Sequence, residues 1–195
     1  MEKNIEIFLK KQEKCINEIL SLKKETIEEI IKKILEARNN KNRIFTMGNG
    51  GSGSTASHFV SDLLKTAITE GDNRFSAISL VDNIPVLLAW SNDSQYEDVF
   101  VEQLKNHLHK NDIVLGFSGS GTSQNILSAL EYAKNNGAFC IGMTGMSGGE
   151  MSNICNICLT IPSDDMLTIE SAHLILCHCI VSVIRDLGNP MFRYE

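Results

Sequence analysis

Four ionisable side chains have types and spacings that suit a metal ion or proton transfer. His58 and Asp62 are four residues apart in a stretch with helical periodicity, so they share one helix face. Glu170 and His178 are eight residues apart in a second helical stretch, about 80° apart around its axis. Two imidazoles and two carboxylates converging from two helices would suit Zn²⁺, and His173 is a further candidate ligand. The alternative is polar residues on partly exposed helix faces.

Two glycine- and serine-rich loops offer a place for a phosphate ester. They are residues 48–52 (GNGGS) and 118–123 (SGSGTS), and each lies between an apolar run and a helical stretch. Glycine lets the backbone approach a ligand closely, and a helix N-terminus offers free N–H groups with partial positive charge. Neither loop has the dinucleotide-binding or Walker pattern, which favours a small phosphate ester over a nucleotide. Either loop alone could also be an ordinary strand-to-helix turn.

The elements that must position these residues alternate along the chain. Helical periodicity comes first, over residues 1–40. Five apolar runs follow, at residues 43–48, 75–80, 112–118, 138–144 and 157–162. Helical stretches are predicted near residues 52–67, 83–106, 122–136 and 149–154, and over residues 166–187. This alternation predicts a parallel sheet covered on both faces, and ligands bind such sheets beyond the carboxyl ends of the strands.

Length and composition predict one globular domain. The chain has 195 residues, of which 43% are hydrophobic and 22% are charged, so it can bury a core. The net charge of −6, without any basic run, argues against a nucleic-acid partner. The N-terminal residues alternate charged and apolar side chains, which argues against a signal peptide. We expect no stretch long and apolar enough to cross a membrane, and therefore a cytoplasmic protein.

The six cysteines and the remaining histidines carry weaker signals. Without an export signal, the cysteines are expected to be reduced thiols. Cys155 and Cys158 form a CxxC pair, which is compatible with a redox pair or half of a zinc site. A second CxxC is absent and the run CNICLTI has the pattern of a strand, so we favour buried core cysteines. His107 and His109 are expected to face solvent.

Four segments carry a resemblance to one protein family. Residues 118–123 (SGSGTS) resemble the phosphosugar-binding signature of the sugar isomerase (SIS) domain family. Residues 48–59 (GNGGSGSTASHF), 91–100 (SNDSQYEDVF) and 169–178 (IESAHLILCH) resemble the bacterial sedoheptulose 7-phosphate isomerases, also called phosphoheptose isomerases. The resemblance covers nearly the whole chain. The serine loop is its least specific part, because the entire superfamily shares it.

The resemblance implies a fold, an assembly and an activity. The fold is α/β, a flavodoxin-like three-layer sandwich with a five-stranded parallel sheet. Residues 1–195 would form a single SIS domain, in which a helical N-terminal extension over residues 1–40 serves oligomerisation. The assembly is a homotetramer with active sites between subunits. The activity is the interconversion of D-sedoheptulose 7-phosphate and D-glycero-D-manno-heptose 7-phosphate through an enediol, for the heptose of bacterial lipopolysaccharide core or capsule.

The resemblance also implies residue roles. The catalytic residues would be Asp62, His178 and Glu170. One Zn²⁺ per subunit would be bound by His58, Asp62, Glu170 and His178. The sugar phosphate would be contacted by Asn49, Gly50, Gly51, Ser52, Asp62, Asn92, Asp93 and Glu170, and its phosphate by Ser118, Gly119, Ser120 and Ser123. Such an isomerase needs a base, an acid and a group that stabilises the enediolate, and a metal could serve as that last group.

Two of these positions depart from the family pattern. The usual glutamate is Asp62 here, which shortens the side chain by one bond, about 1.5 Å. The usual glutamine is Glu170, which adds a negative charge. With neutral histidines, these two carboxylates would balance a divalent metal fully, hold it more tightly and make it a weaker Lewis acid. Alternatively, Glu170 acts as the base and Asp62 only as a ligand.

Two functions from other classes stand beside the isomerase. One is a non-catalytic SIS-domain regulator, such as the replication-initiator-associating relative of these isomerases. His178 argues against it, because that relative lacks a histidine at this position of the C-terminal helix. The other is a sensor that binds a sugar phosphate. Such sensors usually carry a DNA-binding or catalytic module, and we expect none here.

Overall fold

Five parallel strands form the centre of the protein, in a computed structural model that describes residues 1–192. The end of the predicted 1–195 domain therefore lies outside the described residues. The strands are β1 (Arg43–Gly48), β2 (Ser76–Ser79), β3 (Ile113–Ser118), β4 (Phe139–Thr144) and β5 (Ile157–Thr160). The helices are α1 (Glu2–Leu22), α2 (Lys24–Asn40), α3 (Gly50–Ser61), α4 (Ile84–Asp93), α5 (Val101–His107), α6 (Gln124–Asn135), α7 (Met151–Ile154) and α8 (Met166–Asp186).

The strand order places two loops side by side. The order is β2-β1-β3-β4-β5, and every neighbouring pair is parallel. The chain turns to one side of β1 to make β2 and then crosses to the other side to make β3. The loops that follow β1 and β3 therefore diverge at one point of the carboxyl edge, where folds of this type bind ligands. The predicted flavodoxin-like order is confirmed.

Helices cover both faces of this sheet. On one face α1, α2, α3 and α8 pack against strand residues that include Ile44, Leu115 and Phe117. On the other face α5, α6 and α7 pack against Phe45 and Val114, among others. Because both faces are covered, all the residues of β3 are buried, and its sequence is a continuous apolar run with little alternation. This is the predicted three-layer sandwich.

The helix predicted over residues 83–106 is broken in two. The chain leaves the α-helical conformation at Ser94, and a short 3₁₀ turn, Tyr96–Asp98, separates α4 from α5. Asp98 accepts hydrogen bonds from Ser94 Oγ at 2.6 Å and Gln95 Nε2 at 3.3 Å. Ser and Asp form local bonds of this kind, which favour turns over a helix interior. The single-helix prediction was wrong because it followed the apolar spacing alone.

The last helix corrects the expectation about membrane-spanning length. α8 has 21 residues with a mean hydropathy of 1.8, so by length and composition it could cross a membrane. Half of its apolar window is nevertheless buried within the fold. Ile169, Leu176 and Ile180 belong to the core beneath the sheet. This helix is apolar because it lies in the core layer, and length and hydropathy alone are weak evidence for a membrane span.

His173 is a core residue of α8. Its side chain is fully buried, and its Nε2–H donates to the carbonyl oxygen of Thr144 at 3.1 Å. The ring packs against Phe117, with 5.8 Å between the ring centroids. Burial lowers the pKa of His173 from 6.5 to about 4, because the charged form would lose its hydration. His173 therefore ties α8 to the end of β4 as a neutral imidazole.

This burial predicts acid sensitivity. Between about pH 6.5 and pH 4 the unfolded chain binds a proton at His173 that the folded chain does not, so stability falls as the pH drops. From pH 7 to pH 5, His173 alone should lower the free energy of unfolding by about 2 kcal/mol. Urea unfolding at both pH values should show that extra loss in the wild type and not in His173→Gln. Equal losses in the two proteins would contradict this assignment.

Candidate active site

The two glycine-serine loops meet through a pair of asparagines. Asn49 directly follows β1, and Asn125 lies in the first turn of α6, after the loop that follows β3. Asn49 Nδ2 donates to Asn125 Oδ1 at 3.0 Å, and Asn125 Nδ2 donates to Asn49 Oδ1 at 2.9 Å. Asn125 is buried and Asn49 is half-buried. The reciprocal pair fixes the position of one loop relative to the other.

The serine loop presents its hydroxyl groups at the start of α6. Ser118 Oγ and Ser123 Oγ are 3.2 Å apart, and Ser118 Oγ also accepts the backbone N–H of Gly121 at 3.1 Å. Thr122 Oγ1 donates to Ser120 Oγ at 3.0 Å. The hydroxyls of residues 118–123 are thus gathered beside the free N–H groups of a helix N-terminus. This arrangement suits the oxygens of a phosphate.

The segment that follows β4 supports the serine loop. Gly145 N–H donates to the carbonyl oxygen of Gly119 at 3.0 Å, and Met151 N–H donates to that of Gly121 at 3.1 Å. Gly121 has a φ of +68°, and a Cβ there would overlap the backbone of Gly148. Glycine is therefore required at this point, because the two segments are in direct backbone contact.

Three of the four predicted metal ligands come together. His58 Nε2 and His178 Nε2 are 3.1 Å apart, and Asp62 Oδ2 lies 3.5 Å from the first and 3.6 Å from the second. A tetrahedral zinc ion with bonds of about 2.0–2.1 Å holds its ligand atoms about 3.3 Å apart. Among the His, Cys, Asp and Glu side chains of residues 1–192, these three form a group whose possible ligand atoms all lie within 4.8 Å of one another. The donors and their spacing fit Zn²⁺ and leave a fourth position for another ligand.

A π-helical turn orients Asp62. The turn covers Asp62–Thr66, directly after α3, and is closed by Ala67 N–H donating to the carbonyl oxygen of Asp62 at 2.8 Å. Thr66 Oγ1 donates to Asp62 Oδ1 at 3.0 Å, so one carboxylate oxygen is held by the protein. The other oxygen, Oδ2, faces the two imidazoles. Single π turns of this kind occur frequently at functional sites.

Glu170 lies apart from this group. Its carboxylate contacts the first turn of α3, where a Cβ on Gly51 would overlap both carboxylate oxygens. The structure therefore does not bring Glu170 together with His58 and His178, and its predicted role as a ligand stays a prediction. Glycine at residue 51 leaves the space that the Glu170 carboxylate occupies. Glu170 faces the loop that is predicted to bind the sugar.

The other predicted contacts lie around this point. Gly50 begins α3 with a φ of +53°, and Ser52 is buried in its first turn. Asn92 and Asp93 end α4, where both side chains are exposed and Asn92 Nδ2 donates to Asp93 Oδ1 at 2.7 Å. These two residues pair with each other, and their predicted role in binding the sugar stays a prediction.

Comparisons with known proteins agree with this geometry. The sequence matches the SIS domain family over residues 7–145. It is 36% identical to the phosphoheptose isomerase of Aliarcobacter butzleri, over 92% of this chain and 94% of that protein. It is 34% identical to that of Helicobacter pylori, over 92% and 95%. A phosphoheptose isomerase structure from Francisella tularensis superposes with a TM-score of 0.89 at 29% identity, over 94% and 97% of the two chains.

The chain belongs to the phosphoheptose isomerase family of SIS domain proteins. The predicted family, fold and enzyme class are thereby confirmed. In this family member, a cavity of about 700 Å³ opens beside His58 of the group formed with Asp62 and His178. It is lined in part by Asn49, Gly50, His58, Leu87 and Tyr96.

Sequence reasoning gave no site role to Asn125 or Tyr96 of this isomerase. Asn125 pairs with Asn49, and the Tyr96 hydroxyl also contacts Asn49. The sequence position of Asn125 could have suggested a role in the site, because it is a polar residue in the first turn of the helix that follows the serine loop. Tyr96 lies in the segment SNDSQYEDVF, in which the resemblance implies roles for Asn92 and Asp93 only.

The CxxC pair lies away from this site. The sulfurs of Cys155 and Cys158 lie beside Gly142 of β4, and both side chains are half-buried. Burial raises the pKa of both thiols, which disfavours the reactive thiolate. This favours the interpretation as core cysteines. His107 and His109 are exposed, as expected.

Proposed function

We propose that the protein interconverts D-sedoheptulose 7-phosphate and D-glycero-D-manno-heptose 7-phosphate in the cytoplasm, supplying heptose for bacterial lipopolysaccharide core or capsule. The observation that carries the proposal is the group of His58, Asp62 and His178, in which His58 lines the same cavity as the loop after β1. The Asn49–Asn125 pair ties that loop to a serine loop suited to phosphate. Family relatives that span nearly the whole chain carry the name phosphoheptose isomerase. A sugar phosphate would use the serine loop for its phosphate end and the group of three side chains for its carbonyl end.

The cofactor in this proposal is one Zn²⁺ per subunit, held by His58, Asp62 and His178. Their donor types and their separations of 3.1–3.6 Å support this choice. When bound, the metal would supply Lewis-acid stabilisation of the negative charge that develops on the sugar oxygens.

The phosphate end of the sugar is assigned to the serine loop. The hydroxyls of Ser118, Ser120 and Ser123 and the N-terminus of α6 would hold the phosphate. Because the Asn49–Asn125 pair joins this loop to the start of α3, a bound phosphate would fix the direction of the sugar chain toward His58 and His178. Binding energy from the non-reacting phosphate can thus orient the reacting carbons.

Proton transfer needs a group that is close to the sugar carbons and free to take a proton. Asp62 is held through Oδ1 by Thr66 and faces the two imidazoles through Oδ2, which suits a metal ligand. Glu170 instead faces the sugar-binding loop at Gly51. We therefore assign proton abstraction between the first two carbons to Glu170 and the ligand role to Asp62. His178, whose Nε2 lies 3.1 Å from that of the cavity-lining His58, would exchange a proton with the sugar oxygens.

The first test is turnover of sedoheptulose 7-phosphate by purified protein. We expect an aldoheptose phosphate product, loss of turnover after chelation, and its return when zinc is added. His178→Ala should lower zinc affinity at least about 100-fold, because the site loses one of three ligands. His107→Ala, which replaces an exposed histidine outside the group, should bind zinc as the wild type does.

Two results would count against this proposal. An intact, zinc-loaded protein that converts no sugar phosphate would be a non-catalytic member of the family. Turnover that survives complete removal of the metal would remove zinc from the reaction.

Replacement of Glu170 tests the division of roles between the two carboxylates. Glu170→Gln should lower kcat by about 100-fold or more, since general acid–base groups contribute that much, and should leave the zinc content unchanged. Glu131→Gln, on the exposed face of α6, is the matched control. Adding Asp62→Glu to Glu170→Gln restores the usual pair of the family and should recover turnover. If Glu170→Gln binds zinc more weakly but regains full turnover when zinc is supplied in excess, Glu170 is a ligand only.

We further propose a homotetramer whose active sites lie between subunits, with α1 used in assembly. α1 leaves Ile5 and Leu9 more than half exposed, and within Ile84–Asp93 of α4 no residue is buried. Exposed apolar faces of this size favour burial against a partner. Light scattering at micromolar concentration should give four times the chain mass of 21.6 kDa. Leu9→Glu should lower that mass, and a monomeric wild type would refute the shared site.

A further inference from the structure

The amide of Asn49 has its oxygen fully used within the protein. Asn49 Oδ1 accepts a hydrogen bond from Asn125 Nδ2 at 2.9 Å and a second one from the Tyr96 hydroxyl at 2.7 Å. An amide oxygen has two lone pairs, so both are occupied. Asn49 Nδ2 gives one of its two N–H groups to Asn125 Oδ1. The second N–H of Asn49 Nδ2 remains available to donate to a ligand in the cavity that Asn49 lines.

Tyr96 reaches Asn49 from a different part of the chain. It begins the 3₁₀ turn between α4 and α5 and lies 47 residues after Asn49. Asp98 closes this turn by accepting hydrogen bonds from Ser94 and Gln95. These bonds lower the pKa of Asp98, so it remains a carboxylate acceptor at neutral pH. The Tyr96 backbone thus lies in a turn held by these bonds and by the buried Val99 and Phe100 that follow it.

Tyr96 as a residue is 54% exposed, so core packing does not account for the position of its side chain. It lines the same cavity as Asn49 and His58. Since α4, which precedes this turn, buries none of the residues Ile84–Asp93, the hydroxyl bond to Asn49 is a polar link from this segment to the sheet.

We propose that Tyr96 is a positioning residue for the sugar phosphate: its hydroxyl fixes the Asn49 amide so that one N–H is presented to the substrate. The inference rests on the proposed isomerase function and adds a residue to it. Tyr96 acts through Asn49, so it affects binding of the sugar more than the chemical step.

The test is the variant Tyr96→Phe, which keeps the ring and removes the hydroxyl. We expect KM for sedoheptulose 7-phosphate to rise about 5- to 10-fold, the usual weight of one hydrogen bond, and kcat to stay within about twofold. Tyr132→Phe on α6, outside the cavity, is the control and should change neither constant. Thermal stabilisation by inorganic phosphate should be unchanged in Tyr96→Phe, because the serine loop alone would bind that probe.

A double-mutant cycle separates positioning from a purely structural role. Asn49→Ala alone should raise KM, and adding Tyr96→Phe should raise it no further, because the hydroxyl then has no amide to fix. Effects that multiply would show that Tyr96 acts independently of Asn49, and an unchanged KM in Tyr96→Phe would also overturn the proposal. A wild type without turnover would refute the isomerase function and this inference with it. Normal turnover in both wild type and Tyr96→Phe would refute only the role of Tyr96.

Discussion

The close approach of α8 to the carboxyl ends of the strands is the constraint on which the site depends. Where α8 crosses the two loops, Glu170 occupies the space of a side chain at residue 51, and Met166 occupies that space at residue 119. Glycine at both positions leaves room for these two side chains. This room lets α8 place Glu170 against the first turn of α3, while His178 further along the helix meets His58. A larger residue at 51 or 119 would displace the Glu170 carboxylate or the Met166 thioether from its present position.

The same helix satisfies two opposing demands. One side of α8 lies in the core with Leu176 and Ile180, and the opposite side carries the exposed His178. Its start is fixed by Asp165, which accepts the backbone N–H of Thr168 at 3.0 Å and its hydroxyl at 2.6 Å. α1 adds a bond from Gln12 to the same Thr168 at 2.9 Å. A helix anchored at its start and along its core side holds its polar groups in register with α3.

The sequence was enough to predict the strands and the two loops, because buried parallel strands are short apolar runs that glycine-rich turns interrupt. It also predicted the shared face of His58 and Asp62, since four residues make about one helical turn. It did not predict that Glu170 lies apart from His178. Eight residues set their angle about the axis, but also separate them by about 12 Å along it, and the tilt of α8 is set by tertiary packing. The break at Ser94 depends on bonds to Asp98, which apolar spacing does not encode.

The polar groups of the site follow one rule: the protein binds one atom of each group and leaves another for a ligand. Thr66 holds Asp62 Oδ1 and leaves Oδ2, while Asn125 and Tyr96 hold Asn49 and leave one N–H. Each group is thereby oriented before any ligand arrives. Orientation in advance reduces the entropy that binding must remove. A small, strongly hydrated sugar phosphate offers little apolar surface, so recognition by this site depends on polar groups that are already in place.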